Sequence, residues 1–220
     1  MTERSGKLAN DAFGGRQPTS HERMTGRPWD ASYKDGPAPW DLGRPQPAIV
    51  RLASEVKLVG PVLDAGCGAG DNTLHIASLG LPVLGVDVAE TALEMARKKA
   101  HGRNLNVEFV AADAFHLDRL GRKFQTVLDS GLFHTFEAEE RTRYVASLST
   151  VSEPGATLYL VCFSDQGPDT GPHPITQHDL NEAFNPAAGW RIASIRPDRV
   201  LTRFHGDNGA PAWFATIQRV

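Results

Sequence analysis

Cysteine is scarce in this chain, and long basic runs and long apolar runs are missing from its sequence. Only Cys67 and Cys162 occur among the 220 residues, too few for a disulfide framework or a cysteine-based zinc site. The formal net charge is -3, which argues against nucleic acid as a partner. The sequence shows neither an apolar stretch of membrane-spanning length nor a signal-peptide pattern. We therefore expect a cytoplasmic protein that binds neither nucleic acid nor membrane.

The composition divides the chain into two parts. Residues 1–45 are rich in glycine, proline, arginine and aspartate. The aromatic residues among them are Phe13, Trp29, Tyr33 and Trp40. We expect residues 1 to about 20 to be mobile, and the stretch from Trp29 onward to dock as a lid. Residues 46–220 are long enough for one domain with a well-buried core.

Apolar runs of strand length alternate with helix-like sequence through the middle of the chain. Strands are predicted at residues 62–65, 83–86, 107–111, 126–128 and 157–163. Helices are predicted at residues 48–53, 72–79, 89–100 and 137–151. This alternation is typical of βαβ units, and it predicts a doubly wound parallel sheet with helices on both faces.

The C-terminal part follows a different pattern. Thr176 is placed to cap a short helix, because an acid, Asp179, follows three residues later. Residues 191–201 and 211–219 are predicted strands joined by a glycine-rich link. Since no helix separates them, we expect them to pair antiparallel at one edge of the sheet.

A glycine-rich turn, Asp64-Ala65-Gly66-Cys67-Gly68-Ala69-Gly70, follows the first predicted strand. Glycines allow bare backbone to approach a ligand, and the N–H groups of the next helix can face that ligand. The spacing is G-x-G-x-G, whereas the dinucleotide fingerprint is G-x-G-x-x-G. The turn therefore favours a nucleoside cofactor that has no pyrophosphate.

Three acids stand at the ends of three successive predicted strands, namely Asp64, Asp87 and Asp113. In a doubly wound sheet the carboxyl ends of the strands line one crevice, so these acids converge there. Asp87 is placed to accept hydrogen bonds from ribose hydroxyls, and Asp113 from an adenine amine. Asp64 and the Gly66 backbone are placed to hold a cationic amino group. The alternative, that each acid caps the following helix, is weakened by the occurrence of three in register.

These segments, together with Asp129-Ser130-Gly131, resemble the class I S-adenosylmethionine-dependent methyltransferases from about residue 40 onward. The resemblance implies an α/β Rossmann-like fold with a seven-stranded sheet of order 3-2-1-4-5-7-6, its last edge pair antiparallel. It also implies S-adenosyl-L-methionine as the cofactor and S-adenosyl-L-homocysteine as the product. The cofactor-binding residues that we expect are Trp40, Asp64, Gly66, Cys67, Gly68, Asp87, Val88, Ala112, Asp113, Ala114 and Asp129.

Two further segments resemble narrower groups. Residues 39–47, Pro-Trp-Asp-Leu-Gly-Arg-Pro-Gln-Pro, resemble the N-terminal signature of the thiopurine and halide methyltransferase branch. Residues 129–136 resemble a segment of bacterial heterocyclic-toxin methyltransferases, which act on hydroxyquinolones and similar small aromatics. The resemblance implies methyl transfer to O or N of a small planar aromatic heterocycle. Thiol or halide acceptors are the first alternative, and a non-catalytic cofactor-binding partner protein is the second.

His134 is the candidate catalytic residue, because it follows the fourth strand on the crevice side and imidazole titrates near neutrality. We expect it either to act as a general base or to orient the acceptor, and the alternative is a structural histidine packed under the lid. The side chains expected to contact the acceptor are Trp29, Tyr33, Leu132, Phe133, Phe163, Ser164 and His173. No metal is expected, since Asp129 alone is too little for Mg²⁺. The protein is expected to be a monomer or a homodimer.

Overall fold

The computed structural model describes residues 13, 15–56, 58–167 and 173–220. Its strands are β1 (Val62–Ala65), β2 (Val83–Asp87), β3 (Glu108–Ala111), β4 (Phe124–Ser130), β5 (Ser152–Phe163), β6 (Trp190–Val200) and β7 (Ala210–Arg219). Its α-helices are α1 (Ser20–Thr25), α2 (Ala31–Lys34), α3 (Pro47–Glu55), α4 (Asp71–Ser78), α5 (Glu90–Gly102), α6 (Ala138–Val151) and α7 (Gln177–Ala183). Short 3₁₀ helices span Ala114–Leu120, Phe133–Thr135 and Pro186–Ala188.

The strands form a seven-stranded sheet of order β3-β2-β1-β4-β5-β7-β6. The central strand β1 pairs in parallel with β2 and β4, so that Ala65 lies opposite both Val86 and Asp129. At the other side of the sheet, β7 runs antiparallel between β5 and β6. The predicted fold, strand order and antiparallel edge are therefore confirmed.

Both faces of the sheet are covered, because successive strand residues point to opposite sides. Leu63, Val127 and Leu160 belong to one buried cluster, which packs on α6. Their chain neighbours Val62 and Leu128 belong to the cluster on the other face, which packs on α3. The central strand β1 is therefore buried along its whole length. Among the residues that the structure describes, none of the helices has the length and hydropathy needed to cross a membrane.

The N-terminal segment, residues 15–45, lies against the sheet domain. In α1, Thr19 and Glu22 form a capping box, and Glu22 is fully buried. The backbone N–H of Ser20 donates to Glu140 of α6 at 2.8 Å. Residues 1–12 and 14 of the stretch expected to be mobile lie outside the described residues. Thr19 and Ser20, by contrast, are buried, and Ser20 is bonded to the domain through Glu140.

Candidate functional site

A cavity of about 350 Å³ opens where β1 to β4 end, and the N-terminal segment forms its opposite wall. Nine of the eleven predicted cofactor residues lie on its wall: Trp40, Gly66, Cys67, Gly68, Asp87, Val88, Ala112, Asp113 and Ala114. Five of the residues predicted for the acceptor side also line it: Trp29, Tyr33, Leu132, His134 and Phe163. The fold thus brings most of the predicted site together.

The glycine turn presents its backbone to the cavity in a conformation that residues with a side chain rarely adopt. Gly66 and Gly68 have φ of 70° and 53°, in the left-handed region that favours glycine. A Cβ on Gly68 would stand 2.7 Å from the hydroxyl oxygen of Tyr33. The turn therefore leaves a cradle of backbone that fits a ligand, and a side chain at Gly68 would fill it.

Asp87 ties this turn to the end of β2. Its Oδ2 accepts a hydrogen bond from the Gly68 N–H at 2.8 Å, and its Oδ1 accepts one from the Ala89 N–H at 2.9 Å. Burial raises the pKa of this carboxyl. Asp87 therefore makes the capping contact that was the alternative interpretation, and it also faces the cavity.

Asp113, which follows β3, also caps a helix and lines the cavity. Its Oδ1 accepts from the Phe115 N–H at 2.9 Å, which caps the first 3₁₀ helix. Ala112 and Ala114 flank it on the cavity wall. The small neighbours leave room for a flat ring against the backbone beside Asp113.

Asp64 is buried and is not on the cavity wall. Its Oδ2 accepts a 2.5 Å hydrogen bond from the Thr73 hydroxyl. Its Oδ1 is buried without a hydrogen-bond partner in the described part of the chain. Burial raises the pKa of the carboxyl to about 6. An orphaned acceptor of this kind, close to the glycine turn, fits the amino group of a bound cofactor.

Asp129 was predicted to contact the cofactor, but its side chain is fully buried and is not part of the cavity wall. Its Oδ1 accepts from the backbone N–H groups of Leu132 at 2.9 Å and Phe133 at 3.3 Å. Its Oδ2 accepts from the Tyr144 hydroxyl at 2.9 Å. Asp129 therefore shapes the turn that carries His134 to the cavity.

His134 lies on the wall in a single tautomer. Its Nδ1 accepts a hydrogen bond from the backbone N–H of Phe163 at 3.2 Å. Since a backbone N–H is always a donor, the proton of the neutral ring is on Nε2. Burial, together with His173 and His21, lowers the pKa of the ring to about 3. Of the two predicted roles, this geometry favours a hydrogen-bond donor that orients the acceptor over a general base.

The aromatic wall combines Trp29, Tyr33 and Trp40 of the N-terminal segment with phenylalanines of the sheet domain. The indole N–H of Trp40 donates to the Tyr33 hydroxyl at 2.8 Å. The rings of Trp29 and Trp40 meet edge to face, with centroids 5.4 Å apart. Phe163 packs on His134 with ring centroids 4.2 Å apart. These rings give the cavity flat apolar surfaces.

Three predicted acceptor residues do not line the cavity. The 3₁₀ turn points Phe133 into the core, where its ring lies 5.4 Å from that of Phe184. Ser164 is buried and accepts from the Gln166 N–H at 3.3 Å. His173 lies off the wall, although it is close enough to His134 and His21 to lower the pKa of both.

Sequence reasoning missed other residues on the wall. They include Arg16, His21, Arg44, Thr202, Phe204 and His205. The pattern Thr19-x-x-Glu22 is a capping-box signal that would have predicted α1, and with it a fixed place for His21. Within the described ranges, no group of three or more His, Cys, Asp or Glu side chains is arranged to hold a metal ion.

Comparison with known proteins shows the family of the chain. Residues 62–155 match the model of a methyltransferase domain family. The 2-heptyl-1-hydroxyquinolin-4(1H)-one methyltransferase of Mycobacteroides abscessus is 34% identical over 216 residues, covering 96% of this chain and 88% of that protein. A probable thiol methyltransferase 2 of Arabidopsis thaliana is 31% identical, covering 76% of this chain and 75% of that protein.

A solved structure from work on the conversion of a disulfide bond into a thioacetal group during echinomycin biosynthesis is also similar. It superimposes with a TM-score of 0.77 at 35% identity, covering 87% of this chain and 91% of that one. The relatives, the sheet order and the glycine turn agree with one another. The chain belongs to the S-adenosylmethionine-dependent methyltransferases.

Proposed function

We propose that this methyltransferase methylates an ionisable hydroxyl or a ring nitrogen of a small planar aromatic heterocycle of the hydroxyquinolone type. The observation that carries the proposal is the acceptor side of the cavity, where flat rings surround one fixed hydrogen-bond donor. Trp29 and Phe163 supply apolar faces, and the Nε2–H of His134 is the donor. The relative from Mycobacteroides abscessus supports a hydroxyquinolone acceptor.

The proposed binding mode of the cofactor follows from the residues at the strand ends. S-adenosylmethionine, when bound, supplies a methyl group on a positively charged sulfur. Asp87 would hold the ribose, the segment around Asp113 the adenine, and the backbone of Gly66 and Gly68 the methionine part. Trp40 would present its π face to the sulfonium and exclude water from it.

The acceptor side of the cavity would act chiefly by positioning the acceptor. Methyl transfer requires the acceptor atom in line with the methyl group and close to it, and holding that geometry removes much of the barrier. An aromatic plane packed on Phe163 restricts the tilt of the acceptor. The His134 N–H donating to a ring oxygen fixes its rotation, because His134 is itself held by the Phe163 backbone.

The test is a panel of acceptors, with S-adenosylhomocysteine release and product mass as readouts. The panel contains 1-hydroxyquinolin-4(1H)-one, a hydroxyphenazine, thiophenol and iodide. We expect the highest kcat/KM for a heterocycle. The matched variant is His134→Phe, which keeps a flat ring on Phe163 and removes the donor. This variant should have a raised KM for the hydroxyquinolone and an unchanged KM for thiophenol.

A second candidate function is methylation of thiols or halides. It is favoured by the sequence of residues 39–47 and by the relative that is a probable thiol methyltransferase. Turnover of thiophenol or iodide well above that of every heterocycle would make it the correct function. Binding of S-adenosylhomocysteine without turnover of any acceptor would instead indicate a non-catalytic partner protein.

A further inference from the structure

His21 lies on the cavity wall, and neither the proposed cofactor contacts nor the proposed role of His134 involves it. Its Nδ1 is buried, and within the described part of the chain it has no hydrogen-bond partner. The ring stacks on Trp29, with centroids 4.5 Å apart and planes 14° from parallel. An unpaired ring nitrogen at a ligand cavity is a group that a ligand can satisfy.

The position of His21 is fixed by contacts that reach the turn of His134. The neighbouring Ser20 hydroxyl donates to Glu140 at 2.6 Å and lies 3.2 Å from the carbonyl oxygen of Thr135. At the other side, the fully buried Glu22 accepts from the Trp29 N–H at 2.9 Å. Helix α1 therefore holds His21 against the same turn that carries the orienting donor.

His134 cannot take the proton that a hydroxyl acceptor must lose. Its Nδ1 is occupied by the backbone N–H of Phe163, and its Nε2 already carries a proton. Methylation of a neutral hydroxyl releases a proton, and another group on the wall can accept it. The Nδ1 of His21, by contrast, accepts no hydrogen bond from the residues that the structure describes.

Resting on the proposed function, we infer that His21 is the catalytic base, delivered to the acceptor by the N-terminal segment. In the step, an oxygen lone pair of the acceptor forms the bond to the methyl carbon, and the carbon–sulfur bond breaks with its electron pair remaining on sulfur. The hydroxyl proton passes to a ring nitrogen of His21. The imidazolium then returns the proton to solvent when the product leaves.

The groups around His21 set its proton affinity. Burial, followed by His173, lowers the pKa of the ring, and Glu22 acts to raise it. His134 also faces it from the turn after β4. An acceptor oxyanion beside the ring favours the charged imidazole and raises its pKa. An acceptor that is already ionised in solution therefore binds with uptake of a proton by His21. This gives the same oxyanion–imidazolium pair as transfer of the proton from a neutral hydroxyl to His21.

Proton uptake gives a test that does not depend on turnover. Binding of 1-hydroxyquinolin-4(1H)-one to the complex with S-adenosylhomocysteine is measured by calorimetry in buffers of different ionisation enthalpy. We expect the wild-type protein to take up a substantial fraction of about one proton per acceptor bound. His21→Gln should take up close to none while its affinity for S-adenosylhomocysteine stays unchanged.

His75 provides the matched control. It is also an imidazole with a buried ring nitrogen that has no partner among the described residues, and burial lowers its pKa, but it does not line the cavity. His75→Gln should keep the wild-type proton uptake. In turnover, His21→Gln should lose about 10²-fold in kcat for a weakly acidic hydroxyl acceptor, and His75→Gln should not.

The outcomes separate the two proposals. Wild-type turnover of hydroxyquinolone with no proton uptake, or with equal uptake in His21→Gln, overturns the role of His21 and leaves the proposed function standing. A wild-type protein that neither binds nor methylates the hydroxyquinolone overturns both. Loss of uptake in His21→Gln alone, with unchanged S-adenosylhomocysteine affinity, supports the assignment.

Discussion

Replacing Asp129 with asparagine should stabilise the protein at neutral pH, although it removes a buried charge from a hydrogen-bonded position. The carboxyl accepts from the N–H groups of Leu132 and Phe133 and from the Tyr144 hydroxyl. Asparagine has nearly the same shape and keeps one acceptor oxygen for the backbone. Its NH₂ group can donate to the Tyr144 oxygen, so the two side chains keep one hydrogen bond between them.

The size and sign of the effect follow from the pKa of Asp129. Burial, above all, raises it from 3.8 to about 7. The folded protein thus binds this proton more tightly than the unfolded chain does, and the free energy of unfolding falls as pH rises from about 4 to about 7. Since one pKa unit corresponds to roughly 1.4 kcal/mol, this rise in pKa limits the loss in free energy of unfolding to about 4 kcal/mol. Asparagine has no such loss.

The assay is urea denaturation of both proteins at several values between about pH 4 and pH 8. We expect the stability of Asp129→Asn relative to the wild-type protein to grow by a few kcal/mol between about pH 4 and pH 7 and to level off above about pH 7. Asp129→Ala is the contrast, because it leaves buried donors unpaired and should be destabilised at every pH. A difference between Asn and wild type that does not change with pH would refute the reasoning, as would an Asn variant that is less stable at the alkaline end.

Three further predictions concern the cofactor cradle and the N-terminal segment. Asp87→Ala should lower S-adenosylhomocysteine affinity at least about 100-fold by calorimetry, since it also releases the turn at Gly68; unchanged affinity would contradict the cofactor assignment. Gly68→Ala should weaken the same binding, because its Cβ would stand 2.7 Å from the Tyr33 hydroxyl oxygen. Glu22→Gln should speed amide exchange in α1 at least about tenfold, as it breaks a buried pair with Arg16. Because its hydrogen bonds with Arg16 and the backbone outweigh burial and lower the pKa of Glu22, the wild-type contact should hold above about pH 4.5 and be lost as pH falls.

The fold was largely predictable, because a parallel sheet covered on both faces imposes a simple pattern. The bounds of β1 were predicted correctly at residues 62–65, since the strand is buried throughout and a glycine turn ends it. The start of β5 was not: it begins at Ser152, whereas the prediction placed it at residue 157. Pro154 and Gly155 are residue types that favour turns, but pairing with β4 absorbs them in an irregularity of the register. Non-local pairing thus overrode the local turn preference.

The two halves of the site differed in how far the sequence revealed them. Cofactor residues sit at strand ends, where order along the chain predicts position in space. Acceptor residues sit on turns whose orientation depends on distant partners. Phe133 points into the core because Asp129 and Tyr144 fix its turn. Likewise, His21 reaches the cavity because Ser20 bonds to Glu140, a contact that spans 120 positions in the sequence.

The loop between β6 and β7 belongs to the same long-range arrangement. The Gln46 side chain makes two hydrogen bonds with the backbone of Leu201, one donated at 2.8 Å and one accepted at 3.0 Å. The Arg203 N–H donates to the Pro39 carbonyl at 2.8 Å, next to Trp40. The N-terminal segment is therefore held at one end by α6 and at the other by this loop, and both attachments border the acceptor side of the cavity. Substitutions in these contacts should change acceptor preference while the cofactor cradle, built by the sheet, remains intact.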